Sequence, residues 1–149
     1  MTFLVPYDDS PLARAALKRA SEFAAAMDTD VVALTVVPDD PEYAEERGWL
    51  TEQTPFSVEA IGERLERRAR EIAPNARFRH ETIDGEDDPV ATTTLDVVRE
   101  VREVAQEEGV TVLFLGSENA GRVASPLSSV GNPLSEDATY DVHIVRRAD

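Results

Sequence analysis

The chain has 149 residues, no cysteine, and 30 Asp plus Glu against 15 Lys plus Arg, a formal net charge of −15. That length makes one domain, residues 1–149, with room for a proper core, and the absence of cysteine excludes disulfides, thiolate catalysis and a Cys-based zinc site. No basic stripe is present to hold nucleic acid. No apolar run nears the ~20 residues of a membrane helix and no charged leader precedes an apolar core, so the sequence predicts a soluble, cytoplasmic protein with no membrane partner.

TFLVPY, residues 2–7, is a short apolar run that fits a buried strand and stops at Asp8-Asp9-Ser10. Ser10 followed by Pro11 starts a helix: a capping hydroxyl, then a residue whose missing N–H would have been unpaired anyway. Leu12, Ala16, Ala20, Phe23 and Met27 recur at helical spacing, with Ala15 and Ala24 widening the stripe. VVALTVV, residues 31–37, is apolar nearly throughout, as strands of a parallel sheet covered on both faces are.

Residues 38–56, with prolines at both ends and no sustained periodicity, read as the longest loop, and long loops in compact domains tend to be functional or mobile. Val58, Ile61, Leu65, Ala69 and Ile72 mark a second amphipathic helix that ends before Pro74. RFRHETI, residues 77–83, alternates and suits a sheet edge. Asp88 and Pro89 repeat the cap-then-proline start, and Val90, Thr94, Val97, Val101 and Val104 carry a third helix to Gly109. VTVLFLG, residues 110–116, is another buried strand. Pro133–Ala138 has the length of a short helix only, and DVHIVR, residues 141–146, is a last strand. This βαβαβαβαβ order calls for an α/β fold: an open, doubly wound, mostly parallel five-stranded sheet with helices on both faces.

GSENAGRVASPLSSVGN, residues 116–132, leaves the fourth strand and holds Gly116, Gly121 and Gly131. Such a loop gathers unpaired backbone N–H groups into a concavity that suits an anion, although many loops between a strand and a helix merely turn. Arg122 is its only cation and has the geometry to grip a phosphate bidentately, with Ser117, Ser125, Ser128 and Ser129 as further donors; the other reading is a polar surface loop. His80 and His143 lie in separate strands without metal-like spacing, which favours strand histidines over ligands or bases. Asp8 beside Asp9 has the chemistry to bind Mg2+ with substrate phosphates, but adjacent acids are common in so acidic a chain.

The acidic residues are spread over every helix and loop, so they form a solvated surface and not a tail. Lys18 is the only lysine. Self-repulsion of this size is relieved where the Debye length shrinks to about 3 Å at 1 M salt, which points to a halophilic-type protein; the other reading is a surface that binds cations or a partner.

LVPYDDSPLARAAL, ALTVV, VLFLGSENAGRVASPLSSVGN and VHIV, in that order over nearly the whole chain, resemble the universal stress protein family. The resemblance implies a Rossmann-like sheet of strand order 3-2-1-4-5, a homodimer through the last strand (Val142–Val145), and, as in many members, ATP or AMP at the carboxyl ends of strands 1 and 4. It also implies a stress-response role that is regulatory and not catalytic; the alternative within the family is a dimeric interaction or protective protein that binds no nucleotide. By this likeness Asp8 meets the nucleoside portion, Val36 meets the adenine, and Gly116, Gly121, Gly131 and the hydroxyl position occupied here by Asn132 take the phosphates, with Mg2+ as a possible companion. Asp8 also has a simpler reading as a turn or capping residue beside Ser10. The loop departs from the family's pattern: four residues separate Gly116 from Gly121 where the family has two, and Pro133 removes an N–H from the helix start, although the nine-residue interval from Gly121 to Gly131 is kept.

Overall fold

The computed structural model describes residues 1–52, 55–84, 90–118 and 139–148. Within them, β1 (Thr2–Pro6), α1 (Pro11–Met27), β2 (Asp30–Asp39), α2 (Pro41–Glu46), α3 (Val58–Ile72), β3 (Arg77–Asp84), α4 (Val90–Glu107), β4 (Val112–Gly116) and β5 (Asp141–Val145) follow one another. The five strands are all parallel and lie in the order β3-β2-β1-β4-β5. The Asp88–Pro89 helix start, the helix expected over Pro133–Ala138, and Gly121, Arg122, Gly131 and Asn132 lie outside the described residues.

The layers follow from the crossovers. From β1 the chain moves outward through β2 to β3, so α1 and α3 share one face. It then returns across the sheet to β4, which carries α4 to the opposite face. Phe3, Val5, Val31, Ala33 and Phe114 accordingly pack with Ala16, Leu17 and Ala20 of α1 and Ala69 of α3. Leu4, Val32, Leu34, Leu113 and Leu115 pack with Val98, Val101 and Val104 of α4. Alternate residues of β1, β2 and β4 thus serve opposite cores, which is why these runs are apolar nearly throughout.

The buried line of α1 is Ala13, Ala16, Leu17, Ala20 and Ala24, not the stripe through Phe23 and Met27, which are 40% and 52% exposed. Beneath this helix Phe3 and Phe114 have their ring centres 5.1 Å apart, and small side chains let the helix come down onto them. Phe23 stays at the margin, edge-on to Phe114 and to His143. The α3 stripe holds at Ile61, Leu65 and Ala69, joined by Gly62. Ser10 and Ser57 accept the Ala13 and Ala60 N–H groups at 3.2 Å, caps worth about 1 kcal/mol each.

Of the stretch read as a loop over 38–56, residues 38–49 are more ordered than the lack of periodicity suggests. β2 runs on to Asp39, pairing β3 through Pro38 and Ile83 where β1 no longer lies alongside. Asp40 then caps α2, accepting the Glu42 and Tyr43 N–H groups at 3.1 and 3.2 Å, while its other oxygen accepts the buried Thr93 hydroxyl at 3.0 Å. Gly48, at φ +74°, turns the chain out of this short helix, a conformation that glycine adopts without strain. A third apolar cluster of Val37, Tyr43, Ala44, Trp49, Ile61 and Leu65 results. β3 is the edge strand, as its alternation indicates, and it is guarded by charge: Arg77 and Arg79 reach Glu108 at 2.9 and 3.1 Å.

Candidate functional site

The carboxyl ends of β1, β2 and β4 open into a cleft. Pro6, Tyr7 and Asp8 enter from β1, Leu34 and Val36 from β2, and Leu115 from β4. Thr94, Val97, Val98 and Val101 of α4 form one wall, and Tyr43, Arg47 and Trp49 form the other. β1 and β4 are neighbours whose next strands, β2 and β5, lie on opposite sides of the pair, so the cleft sits at the topological switch point, where open α/β sheets bind their ligands. An apolar cleft whose described lining carries one carboxylate, Asp8, and one guanidinium, Arg47, suits a flat, largely uncharged ring carrying a polar appendage.

Asp8 is brought to this cleft, as the sequence reading requires, but not as a bare carboxylate. Its Oδ1 accepts the Ser10 N–H at 3.1 Å, so the turn role is real, and its Oδ2 accepts Arg47 Nη1 at 2.8 Å. The Asp8 carbonyl accepts the indole N–H of Trp49 at 3.0 Å. Val36 is 8% exposed and lines the floor. Leu115 stands beside these residues in the cleft, whereas Gly116 faces the opposite side: a β-carbon there would lie 2.6 Å from Leu12 Cβ. The packing of α1 on β4 thus requires a glycine at 116.

Asp9 does not join Asp8 in a metal pair. Its Oδ1 accepts the Tyr7 hydroxyl at 2.6 Å and Arg14 Nε at 3.0 Å, and Oδ2 lies 3.4 Å from Arg68 Nε. Asp9 has φ +64°, a left-handed conformation that favours glycine; three side chains hold it there. Burial, then the Asp9 carboxylate, push the Tyr7 phenol far above its ordinary range, so it remains a proton donor to Asp9. Among the described residues no group of three or more His, Asp or Glu is placed to hold a metal ion.

His80 lies against Gly62, where an added β-carbon would come within 2.4 Å of its ring. His143 stacks on Phe114 with ring centres 4.8 Å apart. Burial, helped by the charge of Arg19, lowers its pKa below the usual imidazole value. Each histidine thus has a packing role.

The second wall of the cleft escaped the sequence reading. Tyr43 and Trp49 meet at 5.8 Å, the Arg47 guanidinium lies 4.8 Å over the Tyr43 ring, and Arg64 Nη1 of α3 donates to the Trp49 carbonyl at 3.0 Å. A signal was there: Asp40-Pro41 repeats the cap-then-proline pattern of Ser10-Pro11, and Gly48 closes the short helix that follows.

The fold and cleft define a doubly wound α/β domain with a crevice at the switch point. A model of the Universal stress protein family matches residues 1–146, and the chain belongs to that family. Comparison with curated proteins gives no match. Among solved structures, the chain is similar to universal stress protein UspA from Lactobacillus plantarum, at 20% identity and TM-score 0.59, with 98% of this chain and 97% of that chain covered. A universal stress protein family member from Burkholderia pseudomallei gives 21% identity and TM-score 0.56, covering 98% and 96%. A universal stress protein in complex with cAMP gives 23% and 0.52, covering 98% and 97%. At these identities the likeness concerns the fold, with which the order 3-2-1-4-5 agrees. No described helix is long and apolar enough to cross a membrane.

Proposed function

We propose that this chain is a cytoplasmic stress-response module that binds an adenine nucleotide, ATP or AMP, with or without Mg2+, in the cleft at the carboxyl ends of β1 and β4. The observation that carries the reading is the meeting of Asp8, Val36 and the β4 terminus around one apolar crevice at the switch point. Family membership supports it, as does the cAMP complex of one structural relative. On this reading Val36 and the aliphatic wall of α4 take the base and Asp8 takes the sugar hydroxyls. The loop with Gly121, Arg122, Gly131 and Asn132 takes the phosphates.

The role is regulatory and not catalytic. Among the described residues the carboxylate that lines the cleft, Asp8, is engaged in an ion pair with Arg47, which leaves it a poor general base. The alternative, a family member that binds no nucleotide, draws on the same Asp8–Arg47 pair, which occupies the carboxylate a sugar would need.

Calorimetric titration of ATP, ADP and AMP with Mg2+ in roughly 2 M KCl, where surface repulsion is screened, separates the two. Micromolar binding without turnover supports the regulator, and no heat up to millimolar nucleotide from folded protein selects the alternative. Gly131→Val tests the loop: unchanged affinity in the folded variant counts against it.

The same reading includes a homodimer through Val142–Val145. β5 is an edge strand on which Val142 and Ile144 are 36% and 39% exposed, and pairing would cover that edge. Monomer alone by light scattering in multimolar KCl at high protein concentration would refute it. The halophilic character rests on the net charge and predicts a fold that loosens as KCl is withdrawn.

A further inference from the structure

The carboxylate best placed to meet a ligand in the cleft already has a cationic partner 39 residues along the chain. Asp8 and Arg47 keep side-chain exposures of 19% and 22%, and both line the cleft. Arg47 is braced from behind by the Tyr43 ring at 4.8 Å. Two residues on, Trp49 is only 4% exposed and donates its indole N–H to the Asp8 carbonyl. The ion pair and the indole bond therefore fasten one short stretch, from α2 to Trp49, to the end of β1. A carboxylate oxygen facing a guanidinium has part of its charge neutralised and part of its approach filled, so it is a weaker acceptor for a hydroxyl. Filling the cleft and keeping the ion pair compete for the same atom, Asp8 Oδ2.

We propose that Arg47 sets access to the cleft and affinity within it. Its ion pair with Asp8 latches the Pro41–Trp49 stretch, which forms the second wall of the cleft, against the end of β1, and Arg47 competes with the hydroxyl groups of a sugar-bearing ligand for the Asp8 carboxylate. The identity of that ligand rests on the nucleotide reading above; the latch does not.

Trp49 is the only tryptophan of the chain, so its fluorescence reports the latch without any ligand. Arg47→Gln and Asp8→Asn both break the pair, and acrylamide quenching of Trp49 should rise about two- to fivefold in each, the range over which a partly exposed ion pair shifts an equilibrium. Arg47→Lys keeps the charge and should stay near the parent. ATP affinity should move in opposite directions: about two- to fivefold tighter in Arg47→Gln, where Asp8 is released, and weaker in Asp8→Asn, where the acceptor itself is impaired. Unchanged quenching in folded Arg47→Gln overturns the latch. Weaker ATP binding in that variant overturns the competition and makes Arg47 a ligand contact. Raised quenching in a protein that binds no ATP, AMP or ADP in either form supports the latch while refuting the nucleotide reading.

Discussion

Replacing Gly116 by alanine separates two reasons for having a glycine at the end of β4. If the residue is there to let backbone approach a phosphate, Gly116→Ala should weaken nucleotide binding and leave the fold intact. The geometry predicts the reverse emphasis. The new β-carbon would stand 2.6 Å from Leu12 Cβ, 3.4 Å from the Leu12 carbonyl carbon and 3.6 Å from its Cα. Carbon atoms rest comfortably at about 3.5–4.0 Å, so the first contact is short by roughly 1 Å and falls on a β-carbon that no rotamer change can move. Relief requires the first turn of α1 to lift from β4, where Gly116 and its surroundings are buried.

Overpacking of this kind costs about 1–3 kcal/mol, and at this chain length each kcal/mol lowers Tm by about 2–4 °C. Thermal and denaturant unfolding in high KCl measure it. The loss should shrink in a Leu12→Gly background, which removes the clashing atom, and the double-mutant cycle isolates that coupling. A Gly116→Ala protein as stable as its parent, or one whose loss is the same in both backgrounds, refutes the packing argument.

Asp9, held at φ +64°, should tolerate glycine better than alanine: both lose the contacts to Tyr7, Arg14 and Arg68, but only alanine keeps the left-handed strain, so Asp9→Ala should be less stable than Asp9→Gly by about 1 kcal/mol in denaturant titrations. Asp40→Ala removes the α2 cap together with the hydrogen bond from the buried Thr93 hydroxyl, for a loss of about 1–3 kcal/mol. Because α2 carries the Tyr43 and Arg47 wall, Trp49 emission should also shift to the red. His143, whose folded-state pKa lies below its unfolded value, binds a proton more readily unfolded. Its contribution is therefore fully present above about pH 6.5 and declines as pH falls from there toward the folded pKa. His143→Phe, which keeps the stack on Phe114, should flatten that part of the stability profile, and an unaltered profile would refute the assignment.

The local chemistry of the chain wrote most of its architecture. Continuous apolar runs at Phe3–Val5, Val31–Val37 and Leu113–Leu115 mark strands buried on both faces; the caps at Ser10 and Ser57 and the alternation of β3 follow from rules acting over a few residues. The place of the crevice follows from the order of strands and helices with the resemblance in motif order, and Asp8 and Val36 were legible on that basis. What only the tertiary structure decided involves partners far apart in sequence. No periodicity announces that Arg47 will pair with Asp8, or that Trp49 will reach the Asp8 carbonyl, since those contacts exist only once α2 has folded back over the end of β1. The rotation of α1 that sets Phe23 aside depends on what lies beneath it, Phe3 and Phe114. Gly116 has its reason in Leu12, across the α1–β4 contact. Local propensity acts through neighbouring backbone atoms, whereas these choices are made by excluded volume and charge between elements that meet only when the sheet is assembled.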